Sequence, residues 1–194
     1  MGGMSADQVV LDLETQRAFS EVGEKKFADL GVSLVGVYFY ATDRYETFEE
    51  AEIPLLEEKL SRSGRIIGFN IKRFDFPVLQ PYFKRLDLAK LSSFDLLEEL
   101  EKTLGHRVSL QSVSMATLNV GKGGSGLDAI HYYRAGEMDK LKKYCLEDVR
   151  LTKEIYEYGK KLGCVYYQSK DKTTRLSVKV DWKDPEPPAN LSLF

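Results

Sequence analysis

Cysteine and histidine are scarce in this chain: Cys145, Cys164, His106 and His131 are the whole complement in 194 residues. None stands in a paired ligand spacing, which argues against a zinc site and a disulfide framework and makes a reducing, cytoplasmic setting the expectation. No apolar run approaches the roughly 18 residues that cross a bilayer, so no membrane partner is expected, and the N-terminus lacks the charged-then-apolar order of a signal peptide. An excess of either charge is missing too. With 28 basic and 30 acidic residues there is no global positive field, so any nucleic-acid site has to be a local patch. Apolar side chains are plentiful, at 43% of the residues, which suffices for the core of one soluble domain.

Along the chain, residues 1–7 read as a flexible leader, residues 8–163 as the domain, and residues 164–194 as a β-hairpin followed by a Pro-rich tail packed on or extending from it. "LGVSLVGVYFYA" (30–41) and "RYETFEE" (44–50) alternate like paired strands at a sheet edge. Residues 49–64 have a helical pattern stopped by Gly64, and "RIIGFN" (65–70) is a short strand. Residues 74–86 form a helix that tolerates Pro77 in its first turn and that Pro81 kinks or ends. A strand running into a helix (91–105), a shorter helix (109–120) and the loop "GKGGSG" (121–126) precede the longest helix, 136–163. The loop lacks the Gly-x4-Gly-Lys-Ser/Thr spacing of a phosphate loop, but it has the composition of a mobile segment flanking a groove. Strands first, then strands alternating with helices, predict an α/β fold with a mixed sheet flanked by helices.

The acidic residues fall in a pattern. Val9-Val10-Leu11 reads as a buried strand that runs into Asp12 and Glu14, and a two-residue repeat aims both carboxylates at one face. "GFNIKRFDFPVL" places Asn70 at the end of a strand and Asp75 at the start of a helix. "YCLED" places Tyr144 and Asp148 one helical turn apart on the same face. If these segments converge, four carboxylates share one pocket, which is tolerable around divalent cations. Lys72, Arg73, Lys84, Arg85, Lys140, Lys142 and Lys143 flank the motifs and are candidates for steering phosphates.

On these motifs the chain resembles the DEDD 3′-to-5′ exonucleases of the ribonuclease H-like (DnaQ-like) superfamily, which include the proofreading domains of B-type DNA polymerases. Asp12-x-Glu14 is similar to that family's first motif, Asn70-x3-Phe74-Asp75 to its second, and Tyr144-x3-Asp148 to its third in the tyrosine (DEDDy) subgroup, since Lys143 occupies the place of the other subgroup's histidine. The resemblance covers residues 8 to about 160 and implies a ribonuclease H-like fold and metal-dependent hydrolysis of nucleotides from a 3′ end. Two divalent ions, Mg²⁺ or Mn²⁺, would be held by Asp12, Glu14, Asp75 and Asp148, with Asp12 bridging both. Tyr144 would orient the attacking water, and Leu13, Thr15, Asn70 and Phe74 would line the terminal nucleotide. The implied partners are single-stranded nucleic acid or frayed 3′ ends, within a larger nucleic-acid-processing assembly or alone. The alternative is a catalytically weak nucleic-acid-binding or protein-docking module with the same fold.

Overall fold

Alternating apolar residues make Gln8–Thr15 (β1) the middle strand of a five-stranded sheet, flanked on one side by an antiparallel pair and on the other by a parallel one. Val32–Phe39 (β2) runs antiparallel to β1, and Arg44–Glu49 (β3) continues the hairpin at the sheet's edge. Arg65–Gly68 (β4) and Ser93–Asp95 (β5) lie parallel to β1 in the order β3-β2-β1-β4-β5. Single helical turns, Phe19–Val22 (α1) and Phe27–Leu30 (α2), bridge β1 and β2. The computed structural model describes residues 8–121 and 123–184; the leader 1–7 and residues 185–194 of the tail lie outside the described residues.

The two-residue repeat of β1 divides the core. Val9, Leu11 and Leu13 face a cluster with Ile53, Leu56, Val78 and Leu79, contributed by Ile53–Leu60 (α3) and Asp75–Leu79 (α4). Val10 faces the other way, onto a cluster that includes residues of Leu96–Leu104 (α5), Leu110–Leu118 (α6) and Met138–Leu162 (α8). Asp12 and Glu14 share that second face. Gly36 of β2 sits directly opposite Asp12, and a Cβ there would lie 2.8 Å from Cys145 Sγ and 3.1 Å from Val149 Cγ2. The missing methyl lets α8 lie close against the sheet where the acids are.

Several elements are shorter than their patterns predict, for identifiable reasons. The 49–64 segment is a 3-10 turn at Glu50–Glu52 and then α3, because Pro54 has no N–H to donate and fits only a first turn. The 74–86 helix is α4 followed by a 3-10 turn, Gln80–Tyr82, as Pro81 ends the α pattern. β1 is longer than its apolar run, so Asp12 and Glu14 are strand residues rather than the residues that follow a strand. Gly126–Arg134 (α7) is a helix where the sequence reading assigned nothing; its signal was the Ser125-x-x-Asp128 capping box.

Beyond α8, Gly163 in the left-handed conformation ends the helix, and Cys164–Gln168 (β6) pairs with Arg175–Lys179 (β7) as the expected C-terminal hairpin. The chain then returns to the core. Trp182 stacks on Tyr156 and meets Phe94 edge-on, seated so close to Gly159 that a Cβ there would fall 2.4 Å from the indole. Asp184 accepts from Gln8 and Lys160, tying this segment to the start of β1. Among the described residues no helix is long and apolar enough to cross a membrane.

Candidate functional site

Because β1, β4 and β5 are parallel, their carboxyl ends open on one edge, where open α/β sheets take their ligands. β1 outruns β4 there: the parallel ladder covers Gln8 to Val10 only. The Asp75 carboxyl takes over as partner, accepting the Leu13 N–H at 3.1 Å. Asp75 is held in place by the tight connection after β4, in which Asn70 adopts φ 71° and the Asp95 carboxylate accepts from the Asn70 and Lys72 N–H groups. The same carboxylate caps α5 through Leu97 and Glu98, so one buried acid fixes both the second motif and the following helix. Its signal, an acid ending a strand before a helix, was visible in "SSFDLL" but indistinguishable from an ordinary cap.

From the other side, α8 delivers Tyr144 and Asp148 to the face that carries Asp12 and Glu14. One cavity of about 400 Å³ is lined by all nine site residues that the family resemblance implies: Asp12, Leu13, Glu14, Thr15, Asn70, Phe74, Asp75, Tyr144 and Asp148. The structure therefore brings the three motifs together. Asp75, Asp148 and Glu14 are nearly buried, at 2%, 3% and 7% exposure, while Asp12 is half-buried at the mouth. Apolar side chains line the same cavity. Phe74 packs edge-on against Phe19 and Phe27, and Phe19, Leu30, Phe69, Leu127 and Ile130 add to the apolar lining, with Arg17 and Ser125 as polar members. Of these only Phe74 was singled out beforehand. Arg17, Phe19, Leu127 and Ile130 enter through tertiary packing.

Of the loop, residues 124–126 border the cavity: Ser125 and Gly126 line it, and Gly124 abuts the Tyr144 ring. The flanking lysines and arginines contribute less than their number suggests. Lys72 pairs with Glu98, Arg73 with Glu101, Lys140 with Glu137 and Lys142 with Glu49, which neutralises those four locally.

Burial pushes the Asp75 carboxyl up to about 8; its own and Leu13's backbone N–H groups counteract this, and the Asp95 and Asp148 charges add to it. A neutral carboxyl in the folded chain against an ionised one in the unfolded chain costs stability as pH rises from about 4 to about 8. Asp75→Asn, which retains the acceptor for Leu13, is therefore expected to melt above the parent at pH 8 in chelator, with the gap closing towards pH 4. A gap independent of pH in calorimetry would refute this.

The same feature tests whether the site suits a cation, since a nearby positive charge is what would favour ionised Asp75. Asp12 and Glu14 offer carboxylate oxygens within 4.8 Å of each other, with Cys145 Sγ in the same cluster. Oxygen donors of this kind suit Mg²⁺ or Mn²⁺. The thiol does not: burial, with the Asp12, Glu14 and Asp148 charges, raises the Cys145 pKa well above its ordinary value, and the protonated sulfur faces the Asp12 carbonyl at 3.7 Å. Cys145 is therefore no ligand, and of this cluster the Asp12 and Glu14 oxygens are the donors that suit a divalent ion.

No curated protein matches the chain by sequence. Among solved structures it is similar in fold to the family B DNA polymerase from the hyperthermophilic archaeon Pyrobaculum calidifontis, with a TM-score of 0.60 and 18% identity over 79% of this chain. The chain spans 24% of that polymerase chain, about a quarter of its length. The mixed sheet flanked by helices is the ribonuclease H-like architecture that the motifs imply. A family model described as RNase_H superfamily matches residues 10–159, from β1 almost to the end of α8 and through every segment that carries an acid to the cavity; the chain belongs to that superfamily.

Proposed function

We propose that this chain is a 3′-to-5′ exonuclease of the DEDDy type, hydrolysing the terminal phosphodiester of DNA or RNA with two divalent ions, Mg²⁺ or Mn²⁺. The observation that carries the reading is the convergence of Asp12, Glu14, Asp75, Asp148 and Tyr144, from three separate segments, on one cavity that apolar side chains also line. Asp12, Glu14, Asp75 and Asp148 would hold the ions. Bound ions supply charge stabilisation of the phosphoryl oxygens and a more acidic water. The remaining work belongs to the protein. The Tyr144 phenol, one turn from Asp148, orients the attacking water by hydrogen bonding. Phe69, Phe74, Leu127 and Ile130 offer faces on which a base rests, and Leu13, Thr15 and Asn70 position the sugar.

A cavity of about 400 Å³ takes roughly one nucleotide, which favours cleavage at an end over an internal cut. A paired end has to fray before it enters, so single strands and frayed termini are the substrates. The 3′ direction draws its support from the order and spacing of the three motifs. The polymerase likeness is consistent with service as one domain of a larger nucleic-acid-processing assembly.

Oligonucleotides of DNA and RNA labelled at either end decide the matter. With Mn²⁺ or Mg²⁺, a 5′-labelled strand should shorten stepwise while a 3′ label leaves at once as a mononucleotide, and chelator should stop both. Undiminished cleavage in excess chelator, or internal cuts, would overturn the proposal.

A further inference from the structure

The β6–β7 hairpin lies beyond the residues the family model matches. It is nonetheless built firmly onto α6. The Ser112 hydroxyl accepts the Gln168 N–H and donates to its carbonyl, and the Thr117 hydroxyl does the same for Tyr166, at 2.8–3.2 Å throughout. Two serine and threonine side chains thus substitute for a neighbouring strand, and a hairpin that would be marginal alone is held in one position.

That position creates two adjoining grooves, of about 270 and 420 Å³, which share Gln168 and Lys172. In a chain with more acids than bases, neither groove is lined by any Asp or Glu. Their cations are Arg107, Lys170, Lys172 and Arg175. Unlike Lys72, Arg73, Lys140 and Lys142 beside the site motifs, Lys170, Lys172 and Arg175 enter no ion pair among the described residues, while Arg107 lies 3.9 Å from Glu101. Asp171, between the two lysines in sequence, is turned into the hairpin loop, where it accepts from Ser169 and Thr173. The Arg175 guanidinium lies 3.6 Å from the centre of the Tyr166 ring, and His106 and Tyr167, which meet edge-on, bring aromatic rings to the first groove. The grooves also adjoin the candidate active site: Arg107 donates to the Asn70 Oδ1 at 2.7 Å, and Asn70 lines the acidic cavity.

We infer that the hairpin and the connection between α5 and α6 form a second nucleic-acid contact, which holds the phosphodiester backbone of the strand whose 3′ end occupies the cavity. The identity of that strand rests on the proposed exonuclease function. Unpaired cations beside aromatic faces are the pattern that tracks a single-stranded backbone. An acidic cavity that repels phosphates in the absence of metal gains most from such a neighbouring hold.

The test separates binding from hydrolysis. Lys170→Glu with Lys172→Glu is compared with the parent for binding an oligonucleotide of about 20 residues, longer than the roughly 4–16 that one single-strand-binding fold covers, by fluorescence anisotropy in chelator over a range of salt. A second variant, Lys170→Gln with Lys172→Asn, removes the charges without reversing them and suits the left-handed turn at Lys172, φ 60°. The charge reversal should weaken binding by about tenfold or more at low salt and reduce the slope of log K against log salt by about 1.4, the value for two lost contacts to a single strand. Turnover of a dinucleotide with Mn²⁺ should be unchanged. Parent-like affinity and slope in both variants would overturn the inference. So would a parent that does not bind the oligonucleotide, or equal displacement by polyglutamate of matched charge, which would mark a site for acidic protein segments. A parent that binds but fails to cleave the dinucleotide defeats the exonuclease reading, while the binding comparison still decides the groove.

Discussion

Asp12→Asn is expected to lower nuclease turnover by about a thousandfold or more, corresponding to the loss of several kcal/mol of charge stabilisation at the reacting phosphate. Activity alone would not locate the defect, so thermal melts accompany it. Mn²⁺ should raise the melting temperature of the parent, because a ligand that binds only the folded state stabilises it by mass action, and should do so much less for the variant. In chelator the order reverses. Asp12 and Glu14 lie within 4.8 Å of each other, and removing one charge relieves their repulsion. Relief of about 1 kcal/mol raises the melting temperature by roughly 2–4 °C in a domain of this size. Tyr144→Phe provides the contrast, with the full Mn²⁺ shift retained and turnover down by about 10- to 1000-fold, the scale of a positioned hydrogen-bonding group. Equal Mn²⁺ shifts in the parent and Asp12→Asn would show that the carboxylates form no shared metal site.

Gly36→Ala tests how the site is assembled rather than what it contains. The new methyl would sit 2.8 Å from Cys145 Sγ, 3.1 Å from Val149 Cγ2 and 3.4 Å from Leu146 Cδ2, so α8 or the sheet has to give. Overpacking of this kind costs about 1–3 kcal/mol. Tyr144 and Asp148 ride on the displaced helix, and a shift of about 1 Å in a catalytic group can cost about a hundredfold in rate. The expected result is therefore a lower melting temperature together with a loss of turnover far larger than the stability change explains. Adding Cys145→Ala removes the clashing sulfur and should restore much of both, a coupling measurable as a double-mutant cycle. Wild-type turnover in Gly36→Ala, or no rescue by the second substitution, would show that the close approach of α8 is not what aligns the site.

The local geometry of this site was legible in the primary structure. Asp12 and Glu14 share a face because strand side chains alternate, and Tyr144 and Asp148 share a face because a helix turns in 3.6 residues. Both relations are properties of one element and survive whatever surrounds it. The C-terminal hairpin was legible for the same reason, from two alternating runs around a polar turn. Helix lengths were less so. The apolar period of residues 49–64 and 74–86 continues past Pro54 and Pro81, and missing donors, not the pattern, set the ends. The apolar stripe of α7 is weak, and in the sequence only its capping box marks it.

By itself, then, the sequence determined which residues belong to the chemistry and which of them face the same way within an element. Tertiary structure alone decided how the elements meet. It placed Asp75 under Leu13 because β4 stops short of the end of β1, and it buried Asp75, Asp148 and Glu14 while leaving Asp12 half-exposed. It made Asp95 the anchor of the second motif, lined the cavity with Phe19, Leu127 and Ile130, and paired Lys72, Lys140 and Lys142 with acids while Lys170 and Lys172 of the hairpin enter no ion pair among the described residues. The physical reason is one of range. Backbone periodicity is set by neighbours along the chain, whereas burial, charge pairing and the approach of α8 depend on volumes contributed by residues far apart in sequence, down to the single methyl that Gly36 lacks.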